Sequence, residues 1–312
     1  MHLIVKYLVT GATGFIGLEL CRQIRQDGHE LIAFSLRGEA MPDGTPTRAV
    51  DFSKENLSAA ELNSVDTVFH LAAIAHQQAG IADYDAVNHC AVLELARQAH
   101  TARVKNFVFL SSVKAMGAGD YPGARSEQDC ISPRDPYGLS KWQAESGLNR
   151  EFSASRMRVC ILRPALVYGQ GAKANLAQLL KWVGKGLPRP PAEGARSMIS
   201  SGDLCSLMRL VAMAAAPGVS TFIATDGESY STQRLYDAIR DARAMNKGIA
   251  WCPRWAWWLG CGLLDLKRRS AEPTRAKLFA TELYSNAAVL DATPWRPRET
   301  FESTLKSARG VL

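Results

Sequence analysis

Apolar positions along this chain follow two alternating rhythms. Short, nearly continuous apolar runs read as strands: "HLIVKYLVT" (2–10), "ELIAFSLR" (30–37), "TVFHLAA" (67–73), "NFVFLSS" (106–112) and "RVCILRPALVYG" (158–169). Between them, stretches such as 15–26 and 88–100 place apolar residues three and four apart, the helical period. Strands that stay apolar throughout must be covered on both faces, and strand–helix–strand repetition makes them parallel. The fold class predicted is α/β, a doubly wound parallel sheet. Beyond about Gly171 the alternation weakens: "GKGLPRPPAEGARS" is loop-rich, and the strand-like pieces at 221–225 and 282–284 are short and separated. Residues 1–170 are expected to form the sheet domain, with later segments returning to it. Residues 171–312 are expected to form mainly a smaller C-terminal α/β substrate lobe, closing over a site at the strand C-termini. No internal repeat or low-complexity tract interrupts this plan.

The first strand runs into "VTGATGFIG", which sets Gly11, Gly14 and Gly17 between a strand and a helix. Glycines there permit a tight turn, close approach of backbone to a pyrophosphate, and tight helix–sheet packing. The helix N-terminus adds N–H donors and a favourable dipole. In this context the pattern reads as a dinucleotide loop in a Rossmann-type sheet, with a purely structural turn as the plain alternative. About 20 residues further on, an acid would hold the ribose 2′-hydroxyl of NAD. The second strand instead ends "AFSLRG", with Ser35 and Arg37 and no acid before Glu39. A hydroxyl and a guanidinium suit a 2′-phosphate, so NADP(H) is favoured and NAD(H) is the alternative, unless Arg37 is simply solvated. Asp51, in "AVDFS", is a candidate for the adenine end of the site.

The stretch "DPYGLSKWQAE" places Tyr137 four residues ahead of Lys141. Asp-Pro reads as a turn entering a helix, and residues four apart then share a face. A cation held near a phenol favours the phenolate, which would make the tyrosine a general acid/base. An ordinary surface helix carrying both residues is the alternative.

The 312 residues are 47% apolar and 21% charged, enough for a sizeable core. No apolar run reaches the roughly 18–20 residues of a membrane span. The N-terminal run passes straight into glycines and reads as a buried strand, not a signal peptide. Seven scattered cysteines with no CxxC suggest reduced thiols in a cytoplasmic protein, with neither a disulfide framework nor a metal site. A net charge of +7 suits an anionic ligand, but no Lys/Arg run with interleaved aromatics argues for nucleic acid. The segment "CPRWAWWLGCGLLDLKRR" holds Trp255, Trp257 and Trp258, then Lys267, Arg268 and Arg269. Core or lid packing is preferred for it, with peripheral membrane contact left open. His70, His76, His89 and His100 show no matching ligand spacing and read as structural.

Taken together, TGxxGxxG, "DTVFHLAA", "VNHCAVLELA", "FVFLSS" before "PYGLSK", "LRPALVYG" and the closing "TPWRPRETFESTL" span nearly the whole chain. They resemble the extended short-chain dehydrogenase/reductases, NAD(P)-dependent nucleotide-sugar epimerases, dehydratases and ketoreductases. "SSVKAMG" and "GAKANL" are most similar to a UDP-glucose 4-epimerase-like subgroup that includes UDP-4-keto-6-deoxy-N-acetylhexosamine reductases. The resemblance implies Tyr137 as acid/base and Lys141 as the group that tunes it and holds the nicotinamide ribose. It places Ser112, or its neighbour Ser111, on the same substrate oxygen. The implied cofactor contacts are Gly11, Thr13, Gly14, Phe15, Ile16, Gly17, Ser35, Arg37, Asp51, Phe52, Leu71, Ala72, Ala73, Asn88, Ser111 and Pro164, with Tyr137 and Lys141. Asn88 has a helix cap as its alternative. Lys114, Asn175 and Arg196 are the implied substrate contacts, Arg196 on a diphosphate; Asp203 is expected to be structural.

Two departures narrow the activity. Leu166 stands where many 4-epimerases carry a substrate-holding asparagine. Val113 and Lys114 replace the acids that dehydratases place after the catalytic Ser/Thr, so elimination of water lacks its acid and base. What the resemblance then implies is hydride transfer at C4 of a UDP-hexose or UDP-N-acetylhexosamine, by a 4-ketoreductase or 4-epimerase of O-antigen sugar synthesis, acting as a homodimer. A non-catalytic NADP-binding sensor and a reductase of small non-nucleotide carbonyls are the competing functions.

Overall fold

Period two decides the sheet. In β5 (Asn106–Leu110), Phe107 and Phe109 face one apolar cluster while Val108 and Leu110 face another. In β6 (Arg158–Pro164), Val159 and Ile161 alternate in the same way with Cys160 and Leu162. Each face therefore needs its own layer of helices. One cluster packs Leu20 and Ile24 of α1 (Phe15–Gln26) with Leu204, Met208 and Val211 from the helix at Ser201–Ala214. The other takes Val92, Leu95 and Ala96 of α4 (Ala91–Thr101), which follows the short helices α2 (Ala59–Leu62) and α3 (Ile81–Asp85), and Ala144, Leu148 and Phe152 of α5 (Pro136–Phe152).

The computed structural model describes residues 4–75, 80–119, 121–171, 175–214, 216–246, 252–268 and 278–307; His76 and Arg269 lie outside them. With β1 (Lys6–Thr10), β2 (Glu30–Ser35), β3 (Arg48–Ala49), β4 (Thr67–His70) and β9 (Gly218–Ala224), the parallel sheet has seven strands in the order β3-β2-β1-β4-β5-β6-β9. The winding reverses between β1 and β4, so their C-terminal ends open the crevice where such sheets bind ligands. A second sheet of four short strands is centred on β8 (Ala195–Ser200). It pairs with β7 (Leu166–Tyr168), β10 (Ser229–Tyr230) and β11 (Thr281–Glu282), which stands in for the longer 282–284 strand expected from sequence. No described helix is long and apolar enough to cross a membrane.

Candidate active site

β1 and β4 are tied together where they end. Thr10 Oγ1 accepts from the N–H groups of Leu71 and Ala72, both at 3.2 Å, and bonds His70 Nδ1 at 2.9 Å. Gly11 follows with φ of +67°, and a Cβ on it would stand 2.8 Å from the Ala72 nitrogen. A Cβ on Gly17 would stand 2.2 Å from the Gly11 oxygen, so the loop is folded against itself as well. Gly14 begins α1 without a side-chain acceptor, and the first turn, with Phe15 and Ile16, contains no acid. The helix N–H groups are left for an anion, and the cramped glycines let it approach the backbone; these residues fit a dinucleotide pyrophosphate.

An acid stands at the end of β2 after all. Gly38, at φ +69°, turns the chain back, and Glu39 then receives hydrogen bonds from Ser35 Oγ (2.8 Å) and Thr13 Oγ1 (2.9 Å). Hydrogen bonds from its own backbone, then Ser35 and Thr13, hold the Glu39 carboxyl below the usual carboxylate range. Ser35 is thereby engaged, and Arg37 lies exposed beyond the strand. Asp51 is bound by Lys54 and Ser53. Phe52 meets His70 edge-on at 5.8 Å, placing it under the same strand ends.

α5, the helix at Pro136–Phe152, begins at Asp135, whose Oδ1 accepts from Gly138 N–H at 2.8 Å, with proline in the first turn. Tyr137, Lys141 and Glu145 follow at four-residue steps. Gly138 lies so close to the 3-10 turn Val113–Met116 that a Cβ would stand 2.6 Å from the Lys114 oxygen. This close approach brings the Tyr137 phenol within the influence of the Ser112 hydroxyl, which favours the phenolate. Ser112 Oγ also accepts from Lys114 N–H at 3.2 Å. Ser111 points elsewhere, donating to Glu145 Oε1 at 2.5 Å, so Ser112 is the serine that reaches the tyrosine.

Burial pushes the Tyr137 phenol up to about 12, against the pull of the Ser112 hydroxyl. Lys141 is 1% exposed, donates from Nζ to Leu110 O at 2.9 Å and lies 4.6 Å from the Phe109 ring centroid. Burial drives its ammonium down to about 7, with Glu145 opposing. The expected lowering of the phenol by the lysine is therefore not what the geometry delivers. Desolvation dominates both groups and favours their neutral forms.

Asn88 is fully buried and braces the site. It accepts from Ile74 N–H and donates to Ile74 O, both at 2.9 Å, and donates to Ser140 Oγ on α5 at 3.2 Å. It lies inside a π-helical turn, Ala86–Cys90, and the capping alternative does not describe it. Leu71, Ala72 and Ala73 line the end of β4, and Pro164 closes β6. Of the residues expected to meet substrate, Lys114 lies within electrostatic reach of Tyr284, whose phenol burial and then Glu282 raise while Arg125 and Lys114 oppose. Asn175 begins the helix Asn175–Gly184, and Arg196 lies on β8 between Tyr230 and Glu282, both in the lobe beyond Gly171. Asp203 Oδ2 accepts from the N–H groups of Arg298 and Glu299 at 2.9 Å, a structural role.

Four residues of this site escaped the sequence reading. Glu39 is reached only through the turn at Gly38, and Gly138 only through contact with a distant turn. Glu145 and Arg163 form a buried ion pair at 2.6 Å. The signals were present: Glu145 repeats the four-residue step after Lys141, and Arg163 is a charge within an apolar strand.

Comparison with known proteins bears on the whole chain. The model of the NAD dependent epimerase/dehydratase family matches residues 7–219. A UDP-glucose 4-epimerase of Vibrio cholerae is 29% identical over 309 residues, covering 96% of this chain and 93% of its own. Among solved structures, the UDP-N-acetylglucosamine 4-epimerase of Methanobrevibacter ruminantium, in complex with UDP-N-acetylmuramic acid, superposes with a TM-score of 0.77 at 20% identity, covering 99% of this chain and 98% of its own. The Thermus thermophilus UDP-glucose 4-epimerase complex with NAD gives a TM-score of 0.73 at 20% identity, covering 99% of this chain and all, 100%, of its own.

Proposed function

The chain belongs to the NAD dependent epimerase/dehydratase family, and from that premise we propose that it is a 4-epimerase of a UDP-hexose or UDP-N-acetylhexosamine. The observation that carries this reading is the grouping of Tyr137 with Ser112 and buried Lys141 at the strand ends that border the glycine loop.

When bound, NAD supplies the hydride acceptor and donor. Tyr137 takes the proton of the sugar 4-hydroxyl and returns one to the 4-keto oxygen. Ser112 holds that oxygen in reach, and Lys141 would hold the nicotinamide ribose. Arg196 and Asn175, with the lobe beyond Gly171 closing over the sugar, are assigned to the nucleotide diphosphate. Glu39 favours NAD over NADP: its carboxylate accepts ribose hydroxyls and repels a 2′-phosphate. The 4-ketoreductase reading leaned on Ser35 and Arg37, and with Ser35 bonded to Glu39 the epimerase is preferred.

Purified protein with NAD is expected to interconvert UDP-glucose and UDP-galactose, or their N-acetylamino counterparts, with no net oxidation of cofactor, followed by proton NMR. Tyr137→Phe should lower kcat by about 10²–10⁴-fold while NAD binding persists. Stoichiometric consumption of NADPH by a UDP-4-keto sugar, without inversion at C4, would make the protein a ketoreductase instead.

A further inference from the structure

Glu145 stands one turn beyond Lys141 on α5 and is 3% exposed. Its Oε1 accepts from Ser111 Oγ at 2.5 Å. Arg163 donates from Nε to both carboxylate oxygens at 3.1 Å and from Nη2 to Oε2 at 2.6 Å. The Arg163 Nη1 is bound in turn by Glu127 O at 3.1 Å and Cys130 Sγ at 3.2 Å. One carboxylate thus joins the catalytic helix, the end of β5 one residue before Ser112, and the end of β6 one residue before Pro164.

A buried ion pair is a poor way to hold a helix on a sheet, because apolar side chains of similar volume do so at least as well. The charge has a second effect. Lys141 is packed against the Phe109 ring of β5, and His70 of β4 faces it as a neutral imidazole. Tyr137 lies one turn before it on α5, and Arg163 lies behind Glu145. Among the described residues, Glu145 is the charge that acts on this ammonium.

We propose that Glu145 is a positioning residue for the reaction. Its carboxylate keeps Lys141 cationic in a dry site and, through Ser111, fixes the strand end that carries Ser112 against the helix that carries Tyr137. This rests on the roles given above to Lys141 and Tyr137.

Glu145→Gln keeps the side-chain size and the ability to bond Ser111, and removes the charge. In the NAD-loaded enzyme, kcat/KM for UDP-glucose is compared with wild type over roughly pH 6 to 10, alongside NADH binding over the same range. Without the carboxylate the ammonium gives up its proton earlier. The limb on which activity and NADH binding fall with rising pH is therefore expected to move to lower pH by about one unit. Glu145→Asp, which keeps the charge on a shorter arm, should return the limb to its wild-type position at reduced kcat. A purely structural Glu145 would lower the melting temperature and the rate at every pH and leave the limb in place, which would overturn the proposal. If the single variant does not fold, Glu145→Gln with Arg163→Met leaves no orphaned guanidinium, and the same shift is required of it. Failure of wild-type enzyme to turn over any UDP-hexose would remove the reaction reading, while the NADH profile would still decide the role of Glu145.

Discussion

An ammonium that burial drives down to about 7 weakens the fold that carries it. In the unfolded chain Lys141 binds its proton below the ordinary 10.5, whereas the folded chain takes it up only near 7. Unfolding therefore gains a proton across that window, and the residue's penalty grows as pH falls through it. At neutral pH it amounts to several kcal/mol, because each tenfold loss of proton affinity costs about 1.4 kcal/mol. Lys141→Met is expected to abolish turnover and yet raise the melting temperature at neutral pH by several degrees, measured by calorimetry. The identity of this residue was legible in the spacing YxxxK, but its protonation was not. Spacing tells which side chains share a helix face, while burial under Phe109 and Leu110 is a property of the assembled sheet. The partner of Ser35 was illegible for a similar reason. The acid lay four residues past the strand, and only the positive φ at Gly38 returns it to Ser35.

At the scale of elements, the contact between α5 and the 3-10 turn after β5 sets the distance between phenol and serine. Gly138→Ala tests it because two effects of opposite sign compete. Alanine inside a helix gains up to about 1 kcal/mol over glycine. A Cβ 2.6 Å from Lys114 O and 2.7 Å from Asp135 Oδ2 forces the helix start away, a strain of about 1–3 kcal/mol. The strain should win: the variant is expected to unfold at lower urea concentration than wild type and to lose kcat with the helix content retained by circular dichroism. The strands and the two helical layers were legible because their apolar pattern is continuous and both faces are covered. The π-helical turn at Asn88 was not, since nothing in "AVNHCA" marks an i to i+5 ladder; Asp85, His89 and Cys90 hydrogen-bond one another along it.

For the molecule as a whole, acid is the vulnerable direction. His70 is 1% exposed under the β1–β4 junction, and burial depresses its imidazole from 6.5 to about 3. A depressed histidine contributes stability above its unfolded value, and that stability is lost as pH falls from 6.5 toward 3. The loss is about 1.4 kcal/mol per pH unit. Denaturation midpoints measured from neutral pH down to about 4 should fall with that slope added to the carboxylate contributions, and His70→Gln should flatten the curve by one proton's worth.

The order of the strands also bears on how this chain is made. β6 is complete at Pro164, but its outer neighbour β9 starts at Gly218 and pairs with it over seven positions, from Arg158↔Gly218 to Pro164↔Ala224. The helix at Ser201–Ala214, which covers one face of the same sheet, also comes late. While the ribosome is still reading the intervening codons, the catalytic half of the protein exists with a buried-type strand exposed along one edge. Such an edge accepts any extended chain that reaches it, including the same strand on a neighbouring polysome. The longer those codons take to read, the longer that edge stands open.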